Sequence, residues 1–125
     1  MLFDTDVLIW AQRGNLKAYE LIGDAEERLI SIQSYMELLQ GARDRKEIRI
    51  IQSFLSDAVF RTLPLTENIS HRALIYVEEY ALASGMRPAD ALIAATAVEN
   101  GIALVTGNQK HFKPIKDLIL HVFKP

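Results

Sequence analysis

The sequence predicts an α/β fold, a three-layer α/β/α sandwich around a central, mainly parallel sheet. Two observations predict it: short apolar runs alternate with longer amphipathic segments, and the short runs are apolar on both faces, as strands are when helices cover both sides of a sheet. Leu2-Phe3 reads as a short buried strand leading into Asp4, and Val7-Leu8-Ile9-Trp10 begins a helical turn that Arg13-Gly14-Asn15 closes. Leu29-Ile30-Ser31-Ile32 is the next strand. From Gln33 to Ala42 a helical face carries Tyr35, Leu38, Leu39 and Ala42 and stops near Gly41, and Ile48, Ile51 and Leu55 continue that spacing in a charged segment. Val59 to Leu63 reads as a strand stopped by Pro64. Thr66 then caps a long helix, with Ile69, Ala73, Val77 and Tyr80 inward and Gly85 at its end. Pro88 opens another helix, which Gly101 breaks before the strand Ile102-Ala103-Leu104-Val105, and Leu118 to Val122 is the final strand.

Length and composition bound the function. The 125 residues suit one domain, residues 1–125, and the 50% hydrophobic and 24% charged content is ordinary for a globular chain. Fourteen basic against sixteen acidic side chains give a formal charge of -2, which argues against gripping nucleic acid through bulk positive charge. An enzyme that meets a phosphate chain through metal ions has no need of that bulk charge. The absence of cysteine removes disulfides, thiolate metal sites and a cysteine nucleophile. The first ten residues hold two aspartates and no basic residue, so no export leader is expected. No run is long and apolar enough to span a bilayer, and the expectation is a cytoplasmic protein with no membrane partner.

Three acids stand in apolar surroundings: Asp4 after the first strand, Glu37 within Tyr35-Met36-Glu37-Leu38-Leu39, and Asp90 ahead of Ala91-Leu92-Ile93-Ala94-Ala95. Carboxylates that share a partly dry pocket repel one another, and they either take up protons or hold a cation; an all-carboxylate set favours a hard ion such as Mg²⁺ or Mn²⁺. In open α/β sheets ligands bind beyond the carboxyl ends of the strands, where Asp4 and the Thr106-Gly107-Asn108 cluster fall. Each acid also has a structural reading. Ser34-Tyr35-Met36-Glu37 matches a capping box, Asp90 suits the positive end of a helix, and Asp4 or Asp6 can cap the turn that follows them.

Together these segments are similar to the ordered motifs of the PIN-domain ribonucleases. They are Phe3-Asp4-Thr5-Asp6-Val7-Leu8, Ser34 to Gly41, Pro88-Ala89-Asp90 through Ala97, and Leu104-Val105-Thr106-Gly107-Asn108 through Phe112. Within that family the chain most resembles the small VapC-type toxins of toxin–antitoxin pairs. The resemblance implies metal-dependent endonucleolytic cleavage of RNA, a Mg²⁺ or Mn²⁺ cofactor, a cognate antitoxin and a homodimer. It carries Asp4, Glu37 and Asp90 onto the first three acidic positions, as metal ligands and catalytic residues. Thr5, Asp6, Thr106 and Asn108 become positioning groups behind them, and Arg43, Lys46 and Lys110 become candidate RNA contacts. Members of the family commonly place a fourth acid between Thr106 and Phe112, where this chain has Asn108 and His111. On its residues alone, a histidine beside lysines reads as surface. A catalytically degenerate PIN domain that binds a partner is the alternative. A haloacid-dehalogenase-like phosphatase, suggested by the Asp4-Thr5-Asp6 opening, is a distant one.

Overall fold

The computed structural model describes residues 1–125. Five strands form one sheet: β1 (Leu2–Phe3), β2 (Leu29–Ser31), β3 (Arg61–Leu63), β4 (Leu104–Thr106) and β5 (Leu120–Val122). Their order is β3-β2-β1-β4-β5, and every pairing is parallel. Seven helices connect them: α1 (Thr5–Gln12), α2 (Leu16–Asp24), α3 (Ile32–Gln40), α4 (Arg45–Asp57), α5 (Glu67–Ser84), α6 (Pro88–Glu99) and α7 (Gln109–Phe112).

Strands of two or three residues hold together through what they bury. Successive side chains point to opposite faces of the sheet. Leu2, Leu29, Leu63 and Leu104 therefore join one core with Ile69, Ala73 and Tyr76 of α5 and Ile93, Ala94 and Ala97 of α6. Phe3, Ile30 and Val105 join a second core with Val7, Leu8 and Ala11 of α1, Ile22 of α2, Leu38 of α3 and Ile51 and Leu55 of α4. Two cores with the sheet between them make the three layers that the sequence predicts. Half of the residues of α6 are buried, all between Ala91 and Ala97, and its alanines let it lie close against the sheet and α5. No helix is long and apolar enough to cross a membrane.

Several elements differ from the sequence reading. Residues 16–24 form α2, capped by Asn15, whose side chain accepts from the Ala18 amide at 3.0 Å. Only Ala18 and Ile22 of that helix are buried, too weak an apolar signal to announce it. Ile32 belongs to α3 rather than to β2, because Ser31 is the cap and its hydroxyl accepts from the Ser34 amide at 2.9 Å. Ser34 is thus inside the helix, and the capping-box reading of Glu37 falls with it. Val59 and Phe60 lie outside β3. They close α4 instead: the Phe60 amide donates to Leu55 at 2.9 Å and the Val59 amide to Ser56 at 3.0 Å, with Val59 at φ 57° where glycine is usual. Arg28 ties the ends of α2 and α4 together by donating to the carbonyls of Ile22, Gly23 and Ala58.

Candidate functional site

The strand order reverses between β1 and β4, so a crevice opens where the chain leaves these two strands. Asp4 follows β1 and Thr106 ends β4. The Thr106 hydroxyl donates to Asp4 Oδ2 at 2.7 Å across that crevice, and the Thr5 amide donates to Asp4 Oδ1 at 2.7 Å. Asp4 caps α1 in doing so, which makes the structural and functional readings of this residue compatible. The Thr106 hydroxyl in turn accepts from the Asn108 amide at 3.0 Å.

The other acids gather around this pair. Glu37 sits on the middle turn of α3 and accepts from the Thr5 hydroxyl at 3.2 Å, so Thr5 joins Asp4 and Glu37 through one residue. Asp90 stands in the first turn of α6, where Pro88 starts the helix and the Arg87 amide donates to Asp90 Oδ2 at 3.3 Å. Asp6 Oδ2 accepts from the Gly107 amide at 2.9 Å, while its Oδ1 is buried without a partner. Glycine at 107 leaves room for this bond, since a Cβ would meet Asp6 Oδ2 at 2.6 Å and the carboxylate would have to shift.

Electrostatics mark the group as unbalanced. Burial, then the negative charge of Asp6, pushes the Asp4 carboxyl up to about 7, against the opposing bonds from Thr106 and Thr5; Asp90 adds to the rise. Burial also raises Asp6, opposed by the Gly107 amide. Glu37 is raised by burial, lowered in part by the Thr5 hydroxyl and raised again by the charge of Asp90. No lysine or arginine forms an ion pair with any of the four acids.

These residues suit a hard divalent cation. Their donors are carboxylate oxygens with lone pairs to spare, their like charges are uncompensated, and one buried oxygen of Asp6 has no partner. No three carboxylates or imidazoles approach one another as closely as a single ion would draw them.

The remaining candidates divide. Arg43 lines a groove of about 640 Å³ that runs from Glu37 past Ile9, Arg13 and Ile50, but its guanidinium is held by Glu47 at 2.9 Å. Lys46 lies in a separate recess with Arg49, Tyr19 and Phe54. Lys110 lies on α7 and lines a surface hollow with Lys113 and Ser84. Asn108 does not stand free as a substitute ligand, because its side chain turns to His111, 3.0 Å away. His111 is no mere surface residue: its Nδ1 lies 2.9 Å from Asp90 Oδ2. The sequence places His111 in the segment of the family's fourth acid but reads it as surface, and it gives Arg13 no role; the position of Arg13 just past α1 is the only signal for it.

The sequence profile described as PIN domain matches residues 1–117, and the chain belongs to the PIN-domain family. Among curated relatives it is 35% identical over 122 residues to Ribonuclease VapC19 of Mycobacterium tuberculosis, covering 94% of this chain and 95% of that one. It is 34% identical over 125 residues to Ribonuclease VapC10 of the same organism, covering 94% and 90%. The fold is similar to that of a chain in a toxin–antitoxin complex from Klebsiella pneumoniae, with a TM-score of 0.79, 28% identity and 94% of both chains covered. A VapBC chain from Salmonella typhimurium, 21% identical, superposes with a TM-score of 0.82 over 97% of this chain and 96% of that one, a likeness of fold.

Proposed function

We propose that this PIN-domain protein is a metal-dependent endoribonuclease of the VapC type, the toxin of a toxin–antitoxin pair, with Asp4, Glu37 and Asp90 as its metal-binding and catalytic residues. The observation that carries the reading is the gathering of Asp4, Asp6, Glu37 and Asp90 at the strand-order reversal with no lysine or arginine to balance them. Bound there, Mg²⁺ or Mn²⁺ would supply Lewis acidity, easing deprotonation of an attacking water and offsetting charge that builds on the phosphodiester.

This chain's own residues do the rest. Thr106 and Thr5 fix the Asp4 carboxylate by one bond to each oxygen, so its lone pairs face the crevice in one orientation. Thr5 holds Glu37 at the same time. Asp6 locks the Gly107 turn and with it the β4 end of the crevice. Arg13 and Arg43, lining the groove beside Glu37, and Lys110 on α7 would follow the RNA backbone, and Lys46 would extend that track from the neighbouring recess on α4. The partners we assign are RNA and an antitoxin that covers the groove and, past the exposed Ile50 that lines both, the neighbouring recess with the exposed Tyr19. A second copy of the chain is assigned to the exposed Leu74, Ile75 and Leu82 on α5, and the site of action to the cytoplasm.

The departure at Asn108 and His111 favours a second reading, a degenerate domain that binds without cutting. Incubation of the protein with labelled RNA in Mn²⁺, Mg²⁺ or EDTA separates the two. Cleavage should require the metal and fall by about 100-fold or more in Asp4→Asn and in Asp90→Asn. Equal activity in wild type and variants would sink the site; absence of cleavage from every RNA would favour the binding module.

A further inference from the structure

Asp4 and Asp90 are held differently. Asp4 has one hydrogen bond on each oxygen. Both bonds that Asp90 accepts fall on Oδ2, from the Arg87 amide at 3.3 Å and from His111 Nδ1 at 2.9 Å, and Oδ1 takes none. The two side chains are largely buried, His111 at 23% and Asp90 at 18% exposure, so the contact is not a loose surface pairing.

The ring nitrogen also lies 3.0 Å from the Asn108 amide nitrogen. An imidazole Nδ1 carries either a hydrogen or a lone pair, so it cannot donate to Asp90 and accept from an Asn108 N–H together. A carboxylate only accepts. Nδ1 therefore carries the hydrogen, and with the Asn108 amide turned so that its oxygen faces the ring, Asp90 Oδ2 and that oxygen share it, in the same heavy-atom positions.

Resting on the metal-dependent reading of the site, we propose that His111 is a positioning residue for Asp90. Its Nδ1–H fixes Oδ2 and leaves Oδ1 as the single oxygen offered to the cation, with Asn108 holding the ring in place. α7 is one turn long and follows directly from the Thr106 end of β4, so this bond joins the Asp4–Thr106 pair to the start of α6. His111 thus contributes orientation where a carboxylate at that position would contribute charge. Groups placed behind a metal ligand in this way typically alter metal affinity by about 10-fold or more when removed.

The test uses the full chain, Mn²⁺ alone as the probe and three substitutions. In asparagine the side-chain nitrogen falls where histidine has Nδ1; in glutamine it falls where histidine has Nε2. Calorimetric titration with Mn²⁺ should show affinity weakened about 10-fold in His111→Ala. It should stay near the wild-type value in His111→Asn and remain weak in His111→Gln, with all three variants folded in EDTA. In the metal-free protein, ¹⁵N NMR should find the His111 hydrogen on Nδ1. Affinity equal to wild type in all three variants, rescue by glutamine rather than asparagine, or a hydrogen on Nε2 would each overturn the proposal. If wild type binds no Mn²⁺, the proposal falls as well. RNA cleavage run in parallel keeps the two readings apart: an inactive wild type with the asparagine-only rescue of binding defeats the ribonuclease reading alone, and an active one without that rescue defeats the role of His111 alone.

Discussion

Two clusters of charge in this protein are built on opposite terms. Where α5, α6 and the segment after α7 meet, Arg72 pairs with Glu99 and lies 3.7 Å from Asp117, so acid and base answer each other within the cluster. At the ends of β1 and β4, Asp4, Asp6, Glu37 and Asp90 share a partly buried crevice, and His111 is their only potentially cationic partner. A cluster that serves packing pairs its charges with opposite ones, because an unpaired buried charge is costly. A cluster that leaves a deficit is completed by what it binds. This difference is why we propose the crevice, rather than the Arg72 cluster, as the place where a cation and a polyanionic substrate meet.

The largest effect expected to sharpen this contrast is a pH dependence of stability without metal. Folded Asp4 keeps its proton to about pH 7, whereas in the unfolded chain it loses it near 3.8. The folded state therefore binds more protons between those values, and stability must fall as pH rises through that window and level off above it. The loss reaches roughly 4 kcal/mol if Asp4 acts alone. Urea unfolding in EDTA from pH 4 to pH 8 should show the fall in wild type and a flatter profile in Asp4→Asn. A rise in stability across the same range would break the contrast.

Gly107→Ala should come next. Its Cβ displaces the Asp6 carboxylate from the turn, costing about 1–3 kcal/mol and impairing RNA cleavage together, because the same contact shapes the crevice. Unchanged cleavage would show that the Asp6–Gly107 contact is not needed for the site. Arg72→Ala is the smallest, roughly 1 kcal/mol by denaturant unfolding, since the side chain is about one-third exposed (34%). It should leave RNA cleavage untouched. Loss of activity there would mean that the two clusters are not independent.

Much of this contrast was legible in the sequence, for identifiable reasons. Asp4 and Thr106 sit at strand ends in a parallel sheet, so fold class alone places them at one edge. Gly85 and Gly101 end their helices at φ 71° and 64°, and Pro88 begins one, which are local signals. What stayed hidden depends on packing at a distance. The Arg72 pairs join residues 27 and 45 positions apart. Glu37 reads as a capping acid until Ser31 is seen to hold the cap and Thr5 to hold Glu37. His111 reads as surface until α7 turns it onto Asp90. Val59 extends an apparent strand in sequence, but three-dimensional closure of α4 uses it as the left-handed cap.

We propose that a divalent cation fills the charge deficit of the crevice. Thermal unfolding at pH 8 in EDTA, followed by titration with Mn²⁺, tests it most directly in wild type and Asp4→Asn. Wild type should gain stability saturably with Mn²⁺, whereas Asp4→Asn should start more stable and respond little. A wild type indifferent to Mn²⁺, or a variant that gains as much from it, would contradict the account.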